Sequence, residues 1–153
     1  MEFKKLNNRQ EILTDDKLFK SYNQFVELLN ELKKRELSED LIKSVNLSVD
    51  KINSSTLKGK QLIKFIKKEQ SSILKQIEKE HKIVPKNYYR NLWLALGMSA
   101  FGLPIGVALG LSVGNIGLLA IGLPIGMAIG LAFGSSLDKK ALNEGRQLDI
   151  EIK

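Results

Sequence analysis

Histidine is the residue type most often used for acid–base and metal chemistry, and His81 is the only one in this sequence. No second histidine offers a metal pair or a proton relay. No cysteine offers a nucleophile, a thiolate site, a disulfide or a lipid attachment point. Neither a phosphate-cradling glycine loop nor an H-E-x-x-H pair occurs. The pattern predicts a protein that is not an enzyme and holds no cofactor or metal, with His81 solvated or at a helix end.

Spacing carries information at glycine instead. Glycines recur every fourth residue at Gly102, Gly106, Gly110 and Gly114, and again at Gly122, Gly126, Gly130 and Gly134. A row of GxxxG steps strips side chains from one helix face, so that a second backbone can approach and gain dispersion and Cα–H contacts. The rows belong to a tandem repeat, LGMSAFGLPIGVALGLSVGN at 96–115 followed at once by IGLLAIGLPIGMAIGLAFGS at 116–135, in which 11 of 20 aligned positions are identical. Folding the chain back between Asn115 and Ile116 would set Gly110 against Gly122, Gly106 against Gly126 and Gly102 against Gly130. Whether the rows pack within one hairpin, between subunits or both stays open at this level. Pro104 and Pro124 occupy equivalent repeat positions at nearly equal depth. Each removes a backbone donor and would free a carbonyl at Ala100 or Ala120, which predicts matched kinks.

The element that must carry these rows is a membrane hairpin. Leu92 to Leu137 contains no Asp, Glu, Lys, Arg or His, and its length is about twice the 20 residues a helix needs to cross a hydrocarbon core. A turn at 114–117, where Asn115 sits between glycines, divides it into two arms. Tyr88, Tyr89 and Trp93 mark the entry of the first arm as an interfacial aromatic belt, with Lys86 and Arg90 before it and Lys139 and Lys140 after the second arm. Positive-inside logic then predicts a transmembrane hairpin over 86–137 in the cytoplasmic (inner) membrane, with both termini cytoplasmic.

The GxxxGxxxGxxxG rows resemble those of bacterial glycine-zipper membrane proteins, and the whole of 86–153, from PKNYYRNLWLALGM to DKKALNEGRQLDIEIK, looks like small members of that group. The resemblance implies close helix packing and homo-oligomers, among them some channels and pore-forming toxins. Zipper proteins that are outer-membrane lipoproteins need a lipidated cysteine, and this chain has none.

Charge lies almost wholly outside the hairpin. Residues 1–50 carry 9 basic and 10 acidic side chains, whereas 51–91 carry 11 basic and 3 acidic. A basic excess next to a spanning segment reads as a contact for anionic lipid headgroups, worth about 1 kcal/mol per residue near the surface. No nucleic-acid motif accompanies it, so no nucleic-acid partner is expected.

Residues 1–85 read as a helical cytoplasmic region. Thr14-Asp15-Asp16 signals a helix start, and Leu18, Tyr22, Phe25, Leu29 and Leu32 follow at steps of four and three. Ser38-Glu39-Asp40 opens a second helix carrying Leu41, Val45, Val49 and Ile52. A third, strongly basic helix carries Leu62, Ile63, Ile66, Ile73, Leu74, Ile77 and Val84. The expected helices run over about 15–35, 39–52 and 57–84, either as a small bundle or as coiled-coil arms that join copies. Residues 138–153 form a charged tail whose end, Leu148 to Lys153, alternates as a short strand would, which leaves two readings: addition to a partner's sheet edge or a frayed end. The fold class is therefore all-α: amphipathic helices followed by a two-helix hairpin. The expected function is a self-associating membrane protein whose glycine rows assemble an oligomer. Two alternatives are a pore-forming effector, suggested by Ser112 and Asn115, and a membrane anchor for a partner-binding module in residues 1–85.

Overall fold

The structure is a computed structural model and describes residues 2–9, 12 and 15–152. It is mostly helical, in the order α1 (Asp16–Lys33), α2 (Glu39–Ser54), α3 (Gly59–His81), β1 (Val84–Lys86), α4 (Tyr88–Leu96), a π-helical turn (Gly97–Gly102), α5 (Leu103–Val113), a 3-10 turn (Ile116–Leu118), α6 (Leu119–Asn143) and β2 (Gln147–Glu151). The chain divides into two compact units, residues 1–84 with 148–152, and residues 85–147 with 153.

The first unit is a helical bundle closed on its own apolar seams. Asp15 caps α1, its Oδ1 accepting from the N–H of Lys17 at 2.9 Å and of Leu18 at 3.2 Å, and Ser38 caps α2 through the N–H of Leu41. Thr14 lies outside the described residues. Both α1 and α2 pack on α3. Phe25, Leu28 and Leu32 of α1, Leu41 and Val45 of α2, and Leu62, Ile66 and Ile77 of α3 are wholly or almost wholly buried in one cluster, each stabilising the fold by about 1.5–3 kcal/mol of burial. The seams that would have served intermolecular coiled-coil arms are thus used inside the chain.

Two sequence expectations are corrected here. The third helix ends at His81, short of Val84, because Lys82 takes a left-handed conformation (φ 56°) that stops it. Residues 138–153 are not a free charged tail either, for α6 runs on to Asn143 and β2 then pairs with β1. Leu148 and Ile150 of β2 are buried in the bundle core. Gln24 donates to the Glu151 carbonyl at 3.1 Å, and Glu31 accepts from the Asp149 N–H at 3.1 Å. Of the two readings that the alternation left open, strand and frayed end, the strand is found, and it adds to an edge of its own chain. Pairing a strand internally satisfies its backbone without a partner.

Residues 2–9 lie along α2 as an extended arm. Its apolar side chains, Phe3 and Leu6, are partly buried against the bundle core. The Tyr22 hydroxyl donates to the Asn7 carbonyl at 3.1 Å, and burial raises the Tyr22 phenol above its ordinary pKa, with nearby Arg9 opposing the shift.

Candidate functional site: a helical hairpin packed on glycine

The second unit is a hairpin turned inside out relative to a soluble core. The buried residues of its helical segments are Gly97, Gly102, Gly106 and Gly110 on one arm and Gly122, Gly126, Gly130, Gly134, Asp138 and Ala141 on the other. Leu96, Phe101, Leu103, Val107, Ile121 and Phe133 all point outward and are exposed. The two arms, Tyr88–Val113 and Ile116–Asn143, span 26 and 28 residues, about 39 and 42 Å of helix, and their 18-residue apolar stretches have mean hydropathies of 1.9 and 2.2. Both are long and apolar enough to cross a membrane. An aliphatic exterior over a glycine interior suits lipid and not water.

The glycine contacts are backbone to backbone. A methyl carbon on Gly126 would stand 2.6 Å from the Gly102 Cα, one on Gly97 2.8 Å from the Gly130 Cα, and one on Gly134 2.6 Å from the Arg90 Cα. A methyl on Gly106 would stand 2.6 Å from the Leu119 carbonyl oxygen. No side chain fits at these positions unless the helices part. The rows are therefore occupied within one hairpin, and Gly114 serves a different purpose: with φ of 70° it ends α5 in the left-handed conformation, its neighbour Asn115 donating back to the Gly110 carbonyl at 2.9 Å.

The register differs from a fold-back between Asn115 and Ile116. Gly122 lies between Gly102 and Gly106, Gly126 meets Gly97 and Gly102, and Gly130 meets Gly97 and Trp93, while Gly110 faces Asn115 and Ile116 in the turn. Two causes are visible. Residues 114–118 are spent on crossing between the arms, with the Asn115 Oδ1 accepting from the Gly117 N–H at 3.0 Å to start the 3-10 turn. Interleaving also sets Gly122 and Gly126 each between two glycines of the other arm, ridge into groove.

Gly97 entered the row unannounced, because it stands five residues before Gly102 and not four. The π turn places it there. The Leu103 N–H reaches back five residues to the Met98 carbonyl, and one extra residue per turn brings a five-residue step onto the same face. Pro104, which has no N–H, follows at the start of α5. Pro124 instead sits inside the unbroken α6. Matched prolines thus have unmatched surroundings, and both side chains are exposed on the hairpin exterior.

At the open end, Asp138 completes the glycine series 122, 126, 130, 134 at the next four-residue step. Its carboxylate accepts from the backbone N–H of Tyr89 at 3.0 Å and of Arg90 at 2.9 Å. These are first-turn donors that α4 cannot satisfy itself, and Asn87, its N-terminal flanking residue, makes no side-chain cap. Asp138 therefore caps one arm from the other. Sequence reading missed this role, although the continued step of four was a signal for it.

No family model, curated protein or solved structure matches the chain. The remaining expected site residues take their places by geometry alone. Tyr88 and Tyr89 meet edge to face at 5.2 Å, and Trp93 stacks on Phe133 across the hairpin at 5.6 Å. Lys86, Lys139 and Lys140 are exposed, with Lys140 3.9 Å from Glu144. The polar groups that suggested a pore are engaged locally: the Ser112 hydroxyl donates to the Ala108 carbonyl at 2.7 Å, and Asn115 caps the turn. Among the described residues no group of three His, Cys, Asp or Glu is placed to hold a metal ion.

Proposed function

We propose that the chain is a self-associating integral membrane protein without enzymatic activity, in which the glycine rows build each hairpin and a second row of small residues joins one hairpin to the next. The observation that carries this reading is on the outer face. Ala100, Pro104, Ala108 and Ser112 on the first arm, and Ala120, Pro124, Ala128, Ala132 and Ser136 on the second, recur every fourth residue and are all exposed. Each stands two residues before or after a glycine, about 200° around the helix. Small residues at four-residue steps lower the surface of a membrane helix so that another can approach.

The segments on either side of the hairpin, residues 2–84 and 148–152, belong to the same folded unit, which supports a one-sided topology. Lys86, Arg90, Lys139 and Lys140 flank the hairpin and favour contact with anionic headgroups on the cytoplasmic face of the inner membrane. The extended arm held on α2 favours a second reading beside the first, in which the hairpin also anchors a segment-binding module.

The test uses energy transfer between copies in vesicles. The chain has no cysteine, so Leu47→Cys on the exposed side of α2 gives a single labelling site. Transfer that persists when the lipid-to-protein ratio is raised about tenfold supports assembly. Transfer that falls to the level of randomly placed monomers overturns it.

A further inference from the structure

The arm on α2 is held by a repeated device. Asn46 Oδ1 accepts from the Lys4 N–H at 2.8 Å while its Nδ2 donates to the Glu2 carbonyl at 2.9 Å, so one amide brackets Phe3. Asn53 does the same around Leu6, accepting from the Asn7 N–H at 2.9 Å and donating to the Lys5 carbonyl at 3.1 Å. Asn46 and Asn53 lie seven residues apart on α2, about 10.5 Å of helix rise. Three residues of extended chain cover about 9–10 Å. The two periods match, so one helix face reads the backbone of an extended segment at every third residue.

The next position in that period is Arg9. Its guanidinium donates to the carbonyls of Ile52, Asn53 and Ser55 at 2.6, 3.2 and 2.7 Å. These carbonyls lie at the end of α2, where intrahelical donors run out, Ile52 accepting also from the Ser55 N–H, and the negative end of the helix dipole favours a cation there. Phe3, Leu6 and Arg9 therefore form a recognition pattern of apolar, apolar and arginine at three-residue steps. On the other flank the Tyr22 hydroxyl of α1 donates to the Asn7 carbonyl. A hollow of about 310 Å³, lined by Leu6, Asn8, Tyr22, Val26 and Lys33 among others, lies between the arm and α1.

We propose that the Asn46–Asn53 face of α2, with the carbonyl end of the helix, is a binding site for an extended peptide segment of the pattern apolar-x-x-apolar-x-x-Arg, and that residues 2–9 fill it as a removable strap. The occupant that replaces the strap is the same segment from a second copy, since that is the sequence the site is fitted to. Bidentate amide bonds to backbone supply register without regard to side chains, and the two apolar anchors and the arginine supply selection. The site lies within the bundle and does not depend on whether the hairpins assemble.

A labelled peptide of residues 1–10 tests this on the full chain in detergent. In a chain whose own strap is disabled by Phe3→Asp, Leu6→Asp and Arg9→Ala, the peptide should bind about tenfold more tightly than to the unsubstituted chain, where the strap competes. Adding Asn46→Ala and Asn53→Ala should weaken that binding about tenfold or more, through loss of four hydrogen bonds. No binding to the strap-disabled chain, or binding indifferent to the asparagines, overturns the proposal. Hydrogen exchange reads the site without touching the strap. The Lys4 and Asn7 amides should be protected in the unsubstituted chain and lose protection in Asn46→Ala/Asn53→Ala, and free exchange of both in the unsubstituted chain overturns the proposal equally.

Discussion

Gly122 approaches Gly106 so closely that a methyl carbon on the first would stand 2.6 Å from the Cα of the second. Contact of that kind leaves no side chain to rotate away, so even the smallest substitution must separate two backbones. Gly122→Ala with Gly126→Ala should destabilise the hairpin by about 1–3 kcal/mol per site or more. Trp93 is the single tryptophan, and its stacking on Phe133 makes its fluorescence a direct reporter of hairpin closure in detergent. Gly110→Ala, whose methyl would meet the Asn115 carbonyl oxygen at 3.3 Å, should shift the same transition much less.

Asp138→Ala removes both acceptors from the Tyr89 and Arg90 amides. Loss of a cap costs about 0.5–2 kcal/mol in water, and a buried position should bring the cost to the upper end. The Tyr89 and Arg90 amides should exchange faster with solvent, while those near Gly122 should change little. Asp138→Asn, which keeps one acceptor oxygen, should fall between the two.

Glu31 ties the C-terminal strand to α1. The Lys34 ammonium bonded to it holds its carboxyl below the ordinary carboxylate range, the Asp149 N–H adding to the effect against the opposing cost of burial. A depressed folded-state pKa contributes stability that is present above the unfolded value and is lost as pH falls through the folded one. Acidification below the ordinary carboxylate range should thus loosen β2 from the bundle. Glu31→Gln should flatten that part of the pH dependence, as followed by exchange of the Asp149 amide.

Gln70 is buried in the bundle with its Nε2 unpartnered among the described residues, and Ser21 Oγ shares that condition. An unmade hydrogen bond of this kind costs about 1–3 kcal/mol. Gln70→Met, nearly equal in volume, should raise the thermal midpoint of the bundle as measured by circular dichroism, and an unchanged or lower midpoint would sink this reading of Gln70.

Much of the fold was legible because the determinants are periodic. The seams Leu18–Tyr22–Phe25 and Leu41–Val45–Val49 announce helices by spacing alone, and the glycine rows announce a close helix pair. Three features were not legible, each for a physical reason. Gly97 joins its row only through a π turn, which changes the local period from about 3.6 residues per turn to a wider one. Asp138 reads as the first charge outside the membrane until its bond to the other arm is seen. The arm on α2 carries only Phe3, Leu6 and Arg9 at three-residue steps, too short a pattern to announce an element, and its hydrogen bonds go to side chains 42–48 residues away. The bundle's closure was undecidable from its seams, since an apolar stripe packs equally well on its own chain or on another.

The assignment of two separate packing faces is tested most directly by the energy transfer between labelled copies in vesicles when Ala108 and Ala128 are both replaced by leucine. Assembly through the exposed small-residue row predicts that transfer falls to the monomer level while the Trp93 signal, and hence the closed hairpin, is unchanged. Transfer equal to that of the unsubstituted chain would contradict it.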